Sequence, residues 1–205
     1  MKIAKRRRSK KLKKLEEEHV YLDKKVKQLT KDRLKDRSTE SKDILSRLKR
    51  TKLMVKDAME DGALGISTGL FYVPGSFSTT NEVIELSKVA SNYGGIYISH
   101  MREEAVDILK SVNETINIGI EANIPVQITH HKIIGKDNWG LATETLRLVD
   151  DAIKQGIMVS IDQYPYTASQ TSIRALIPQW AQAGGRKELL KRIDDPETRK
   201  ILIDG

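Results

Sequence analysis

The hydrophobic positions of the chain alternate between two patterns, a short apolar run and a longer stretch with helical spacing. Apolar runs begin near residues 64, 95, 125 and 157. The gaps between them hold apolar residues three and four places apart, the spacing of an amphipathic helix. A strand that recurs about every thirty residues, with a helix in each gap, predicts a βα repeat with parallel strands.

Local signals indicate where several of these elements begin and end. Thr79 and Glu82 form a capping-box pattern, which predicts the start of a helix, and Gly94 predicts its end. An earlier amphipathic helix is predicted from about Ser41 to Gly62. The boundaries therefore agree with the hydrophobic pattern, and together they predict an α/β fold.

A βα repeat folds either as an open doubly wound sheet or as a barrel, and periodicity does not distinguish the two. No G-x-G-x-x-G motif follows a strand and no G-x-x-x-x-G-K-[ST] motif is present, so a dinucleotide or nucleoside triphosphate site has no support. Polar or ligating residues follow the carboxyl ends of all four predicted strands. This position favours the mouth of a barrel.

Two of the predicted strands, residues 96–100 and 126–130, end on a histidine. In each strand the histidine is predicted to share one side with the apolar residues two and four places before it. Since neighbouring parallel strands end at the same edge of a sheet, His100 and His130 could meet on one metal ion. The alternative is that each donates a hydrogen bond to a backbone carbonyl, but the matching phase and spacing favour the metal site. His131 is predicted to point to the opposite side and to be structural.

The positive charge of the chain is concentrated at its start. The first 35 residues hold 15 of the 36 Lys and Arg residues against five acids, so the remainder carries a net charge of about −2. Residues 1–50 lack Gly and Pro and have a narrow, interrupted apolar stripe, which predicts a basic, partly disordered helical extension. Its basic run could bind nucleic acid phosphates, but no aromatic platform accompanies it, so a solvated extension is favoured. We expect residues 1–35 to be dispensable for folding.

The sequence contains no cysteine, which excludes disulfides and thiolate metal ligands within this chain. Its longest apolar runs are only a few residues, so no membrane span is predicted. No apolar segment follows the charged start, and a secretory signal is therefore not predicted either. These features together indicate a cytoplasmic protein.

Four stretches carry motifs that together resemble one known family. They are Gly-Ala-Leu-Gly-Ile-Ser-Thr-Gly-Leu with Tyr72 and Pro-Gly at residues 62–75, Ser-His-Met-Arg-Glu-Glu at 99–104, Thr-His-His-Lys at 129–132, and Asp-Gln-Tyr-Pro-Tyr-Thr-Ala-Ser at 162–169. In this order they resemble the D-aminoacylases, the N-acyl-D-amino-acid deacylases of the amidohydrolase superfamily. The resemblance covers about residues 51–205.

The resemblance implies a zinc-dependent TIM (β/α)8 barrel. This chain would hold a partial barrel, strands four to seven with their helices, as domain 51–205 after the extension 1–50. The substrate would be an N-acyl-D-amino acid. The implied site has two metal ligands and four substrate-binding residues: His100 and His130, and Lys132, Tyr72, Ser169 and Arg102. Each of the last four residues also has a structural alternative. Lys132 could be a solvated loop lysine, Tyr72 a packed ring and Ser169 a turn former. Arg102 could be the partner of Glu103 or Glu104.

The chain also departs from the family pattern. It has no early His-x-His strand, no cysteine ligand and no catalytic aspartate of a last strand, so the catalytic residue is unknown. Two carboxylates left as further ligand candidates, Asp162 and Glu103, lie at positions that the family does not use for metal. We therefore expect an incomplete hydrolase, and the alternative is a non-catalytic remnant or binding module whose basic helix mediates interactions. A partial barrel has open strand edges, which predicts a complementing chain or self-association.

Overall fold

The computed structural model describes residues 39–204, and the predicted properties of residues 1–35 lie outside them. The chain divides into two compact units between Gly62 and Ala63. In the first unit, helix α1 spans Thr39–Glu60, close to its predicted bounds. Gly62 follows with φ of 104°, the left-handed conformation in which glycine commonly ends a helix.

The second unit is built on a four-stranded parallel sheet with the strand order β1-β2-β3-β4. The strands are β1 (Gly65–Gly69), β2 (Ile96–His100), β3 (Val126–Ile128) and β4 (Val159–Ile161). Doubly wound sheets reverse their strand order at a switch point, whereas the strands of a barrel follow one another in sequence. The sequential order therefore confirms the predicted partial barrel.

One helix lies in each crossover between strands, as the hydrophobic pattern predicted. These are α2 (Thr80–Asn92), α3 (Ile108–Ala122) and α4 (Ala142–Lys154), and three shorter helices follow β4: α5 (Gln179–Gln182), α6 (Arg186–Asp194) and α7 (Pro196–Asp204). Helix α2 begins where predicted, because the Thr79 hydroxyl accepts a hydrogen bond of 3.2 Å from the backbone N–H of Glu82. Short local signals were thus sufficient to place this helix start.

The two faces of the sheet differ in burial. Tyr97 and Ser99 of β2 are level with Val126 and Ile128 of β3, and all four are buried. The alternate positions, which include Ile98 and Gln127, are only partly buried. The helices cover the first face with a core of apolar side chains: Met101, Ile108, Val112, Ile116, Ile128, Val149 and Ala152. The second face is the inner face of the partial barrel, and β2 carries His100 at the end of that face.

In the described part of the chain, no helix combines the length and apolar character needed to cross a membrane.

Candidate metal centre

The rings of His100 and His130 meet at the carboxyl end of the sheet. His100 Nδ1 lies 2.8 Å from His130 Nε2, and the ring centroids are 4.5 Å apart. His100 is the last residue of β2, and His130 follows β3 by two residues. The prediction that these two histidines come together at a strand edge is therefore consistent with their placement, and their role as metal ligands stays a prediction.

The two rings do not meet because of a matched strand phase, and that part of the prediction was wrong. Ser99 pairs with Ile128, so His100 is level with Thr129 and not with His130. Regular alternation would place His130 on the helix-covered face. Instead β3 ends at Ile128 and His130 adopts φ of 41°, a left-handed conformation that is uncommon for residues other than glycine. This turn brings the ring to the inner side.

Asp162, at the end of β4, holds the turn at His130 in place. Its carboxylate accepts a hydrogen bond of 2.5 Å from the backbone N–H of His130 and one of 2.7 Å from Gln127 Nε2. The backbone N–H of His131 bonds to the Asp162 carbonyl at 2.9 Å. The sequence leaves Asp162 as a further candidate for a metal ligand, but in the structure both of its carboxylate oxygens make these contacts.

A third residue, which is acidic, joins the two histidines, and the sequence pattern does not reveal it. Glu104 is only 4% exposed, and together with His100 and His130 it offers ligand atoms that lie within 4.8 Å of one another. Its neighbour Glu103 instead accepts hydrogen bonds from the backbone N–H groups of Ala105 and Asp107. The sequence feature that could have indicated Glu104 is its position four residues after His100, in the loop that follows β2.

The arrangement fits a divalent metal ion. A tetrahedral zinc site with Zn–N bonds of about 2.0–2.1 Å holds two nitrogens about 3.3 Å apart, so the facing nitrogens need to separate by only about 0.5 Å. Burial, together with the nearby His130 and Lys132, lowers the pKa of His100 to about 4. His100 is therefore neutral at neutral pH and retains a lone pair for a metal.

The predicted substrate-binding residues Lys132, Tyr72 and Ser169 line one cavity of about 740 Å³, which also includes both histidines. The Lys132 ammonium lies 2.5 Å from Glu104 Oε2, and the Tyr72 hydroxyl is 2.8 Å from the hydroxyl of Thr171. The structure thus brings these three residues together beside the candidate metal centre. Their contact with a substrate stays a prediction.

Arg102 lies in a different environment from the other three. Its guanidinium donates two hydrogen bonds of 2.9 Å to the carboxylate of Glu114 on α3, and one of 3.0 Å to each backbone carbonyl of Ser76 and Ser78. It is not among the residues that line the cavity. The guanidinium therefore ties the loop after β1 to helix α3, and its predicted role in substrate binding is untested.

We expect Glu114→Gln to lower the free energy of unfolding by about 1–3 kcal/mol at pH 7, because a half-buried ion pair is broken. Burial raises the pKa of Glu114, but hydrogen bonds from Arg102 and Thr80 outweigh it and lower the pKa below the ordinary value of 4.5. The stabilisation is therefore present above pH 4.5 and is lost as the pH falls below it. Urea unfolding at pH 7 and at decreasing pH should show the two proteins converging.

Glu144→Gln is the matched control for this measurement. Glu144 also pairs with an arginine, Arg147, at 3.3 Å, but both side chains are more than half exposed. Its loss should change stability by less than about 0.5 kcal/mol. An equal effect of the two substitutions would mean that Glu114 does not hold Arg102, and would leave Arg102 available for substrate.

The parallel sheet with sequential strands is similar to the (β/α) barrels of the amidohydrolase type. Two solved structures are similar to this chain. One is a D-aminoacylase described as defining a novel subset of amidohydrolases, with 41% identity, a TM-score of 0.59, and coverage of 60% of this chain and 26% of that chain. The other is an N-acyl-D-glutamate deacylase from Bordetella bronchiseptica complexed with zinc and a phosphonate inhibitor, with 34% identity, a TM-score of 0.59, and coverage of 71% and 29%.

Curated relatives agree with the structures. A D-aminoacylase of Alcaligenes xylosoxydans xylosoxydans is 45% identical over 121 residues, 59% of this chain and 25% of the relative. An N-acyl-D-glutamate deacylase of the same organism is 38% identical over 128 residues, 62% of this chain and 26% of the relative. No family model matches the chain. The resemblance to D-aminoacylases is thus confirmed, and the chain spans about a quarter of the length of these relatives.

Proposed function

We propose that this chain carries the metal-binding and substrate-binding segment of a zinc-dependent hydrolase of N-acyl-D-amino acids. The observation that supports it is the 2.8 Å approach of His100 Nδ1 and His130 Nε2 at the sheet edge, within a segment similar to D-aminoacylases. The proposed metal ligands are His100 and His130. When bound, zinc lowers the pKa of a water molecule and polarises the amide carbonyl of the substrate.

The residues of this chain would bind and orient the substrate beside the metal. Lys132 supplies an ammonium, which has three N–H donors and contacts Glu104, His130 Nδ1 and the His130 carbonyl. The carboxylate of an amino acid would replace one of these contacts. Tyr72 and Ser169 lie in the same cavity with hydroxyl groups that donate to an anion. Phe71 and Tyr164 also line the cavity and add aromatic surface to it. The proposed recognition thus combines one positive charge with two hydroxyls.

The remaining predictions belong to the same proposal. We assign residues 51–205 to the partial barrel and residues 1–50 to a basic extension. The open strand edges are proposed to pair with a complementing chain or with a second copy. A cytoplasmic location agrees with the absence of cysteine from the sequence.

Binding of N-acetyl-D-methionine to the 205-residue chain, measured by NMR with and without zinc, tests this function. We expect zinc-dependent binding that is weaker for the L-enantiomer. Binding should be weaker still for N-acetyl-D-methionine amide, in which a neutral amide replaces the carboxylate. Lys132→Met should weaken binding of the acid and leave binding of the amide nearly unchanged. Acetate release should stay at background, because general-base catalysis is typically worth about 10²–10⁴ in rate and no base is assigned in this chain.

Each possible result bears on the proposal. Binding without preference between enantiomers, or no binding in the presence of zinc, would contradict it and favour a non-catalytic remnant. Zinc-dependent release of acetate would show that this chain assembles a catalytic site from residues outside the proposed set.

A further inference from the structure

The two imidazoles of the candidate metal centre each have a front nitrogen and a rear nitrogen. The front nitrogens, His100 Nδ1 and His130 Nε2, face one another at 2.8 Å. The rear nitrogens both lie near one carboxylate, that of Glu104, and His130 Nδ1 is also 3.0 Å from the Lys132 ammonium. His130 Nδ1 is 3.3 Å from Glu104 Oε1, and His100 Nε2 is 3.9 Å from Glu104 Oε2. One buried acidic side chain thus lies behind both rings.

The division into front and rear nitrogens determines where protons must be. A neutral imidazole carries one N–H and one lone pair, on different nitrogens. For both front nitrogens to bind one ion, both protons must be on the rear nitrogens. Without that constraint, the short front-to-front distance favours a hydrogen bond between the rings, which occupies the lone pair of one of them. An acceptor behind the rings favours the arrangement that leaves the front lone pairs free.

Glu104 has the properties of such an acceptor. Neither its Oε1 atom nor His100 Nε2 has a hydrogen-bond partner among the described residues, although both atoms are buried. Buried polar atoms are rarely left without partners, so Oε1 is an acceptor open to a ring N–H, and His100 Nε2 is a ring nitrogen open to an acceptor. Lys132, 2.5 Å from Oε2, compensates the negative charge that the buried carboxylate carries.

The backbone fixes Glu104 in this position. Its carbonyl accepts a hydrogen bond of 2.7 Å from the N–H of Ile134, which joins the loop after β2 to the loop after β3. Those two loops follow the strands that bring His100 and His130 to the site. The carboxylate is therefore positioned relative to both rings by the same two loops.

We propose that Glu104 is a positioning residue of the metal centre, which holds His100 and His130 in the tautomers that turn His100 Nδ1 and His130 Nε2 toward one ion. The inference rests on the proposed metal-dependent function. Two other roles compete with it. Glu104 could itself bind the ion, or it could serve only as the ion-pair partner of Lys132. These three roles predict different results when the carboxylate is replaced.

Long-range ¹H–¹⁵N NMR of the imidazoles in the full 205-residue chain reports the tautomers directly. Without metal, the Lys132 ammonium can only donate to His130 Nδ1, so the wild type should carry the proton of His130 on Nε2. With zinc, the protons should lie on the rear nitrogens, His130 Nδ1 and His100 Nε2. In metal-free Lys132→Met, which removes that donor, His130 should carry its proton on Nδ1, beside Glu104, and adding Glu104→Gln should shift it back toward Nε2. The zinc affinity of Glu104→Gln, measured by chelator competition, should fall about 10- to 100-fold, the usual effect of removing a group that orients a ligand.

Two further variants control this experiment. Glu85→Gln removes a carboxylate that is also buried, 6% exposed, and also paired with a lysine, Lys88 at 3.1 Å, but it lies on α2. It should leave tautomers and zinc affinity unchanged. Glu104→Gln combined with Lys132→Met avoids a partly buried lysine that has lost its carboxylate partner, and it keeps the test valid if the single variant does not fold. The zinc affinity of the double variant should be lower than that of Lys132→Met by the same factor as for the single substitution.

The visible spectrum of the Co²⁺ complex separates positioning from direct binding. If Glu104 only orients the histidines, saturated Glu104→Gln should have the spectrum of the wild type. A changed spectrum would show that Glu104 is a ligand and would overturn the inference. An unchanged zinc affinity in Glu104→Gln, or the same His130 tautomer in Lys132→Met and in the double variant, would also overturn it. A wild type that binds no metal would contradict the proposed function, and the metal-free tautomer of His130 in Lys132→Met with and without Glu104→Gln would still decide the role of Glu104.

Discussion

Replacement of His100 or His130 by alanine should lower the zinc affinity of the chain by more than about 100-fold, beyond the loss expected for an orienting residue. Each imidazole supplies one of the two front nitrogens that approach to 2.8 Å. The wild type itself should bind zinc weakly, because complete sites use three or four protein ligands. Either substitution should therefore take binding out of the range that isothermal titration measures.

His131→Ala is the control for both variants. His131 adjoins His130 in sequence, but it is absent from the cluster of potential ligands in the described residues and is only 9% exposed. Burial, and secondarily Lys132, lowers the pKa of His131, so it is neutral like His100 at neutral pH. Its replacement should leave zinc binding largely intact. Equal losses in all three variants would mean that the metal is not held by the facing pair.

Replacement of Gly65 by alanine should destabilise the second unit by more than about 3 kcal/mol, because an added side chain would collide with backbone that cannot move aside. An added Cβ would lie 2.1 Å from the carbonyl oxygen of Ile96 and 2.7 Å from its nitrogen. Gly65 pairs with Ile96 at the start of the β1–β2 ladder. The melting temperature should fall by roughly 6–12 °C, measured by calorimetry or circular dichroism.

Gly140→Ala is the matched control, because an added methyl group has free space at that position. An added Cβ there would meet no atom within 4 Å, and no positive φ is required. Stability should stay unchanged or rise by up to about 1 kcal/mol, because alanine restricts the unfolded chain. A small effect at Gly65, similar to that at Gly140, would show that β1 does not approach β2 this closely in solution.

Much of the fold could be predicted from the sequence because its determinants are local. The alternation of apolar runs and amphipathic stretches specified four strands and the helices between them, and Thr79 marked the start of α2. Periodicity alone left a barrel and a doubly wound sheet open. The strand order decided between them, because pairing of β1 to β4 in sequence is a property of the assembled sheet.

Only part of the candidate site could be predicted from the sequence. Strand ends followed by histidines indicated His100 and His130, but the matched phase assumed that β3 continues to His130. Asp162, from a strand more than thirty residues away in sequence, helps to fix the left-handed turn that actually brings the rings together. Glu104 and Arg102 lie in the loop after β2, where no periodicity exists to reveal which way a side chain points.

The sequence by itself determined the βα repeat, the near-neutral charge of residues beyond the basic start, and the resemblance to D-aminoacylases. Each of these depends on residue type and spacing along the chain, which folding does not change. Only the tertiary structure decided that Glu104 lies behind both imidazoles and that Arg102 bonds to Glu114. Those contacts join loops and helices that the sheet brings together, and hydrogen bonds depend on distances of a fraction of an ångström that spacing along a sequence does not encode.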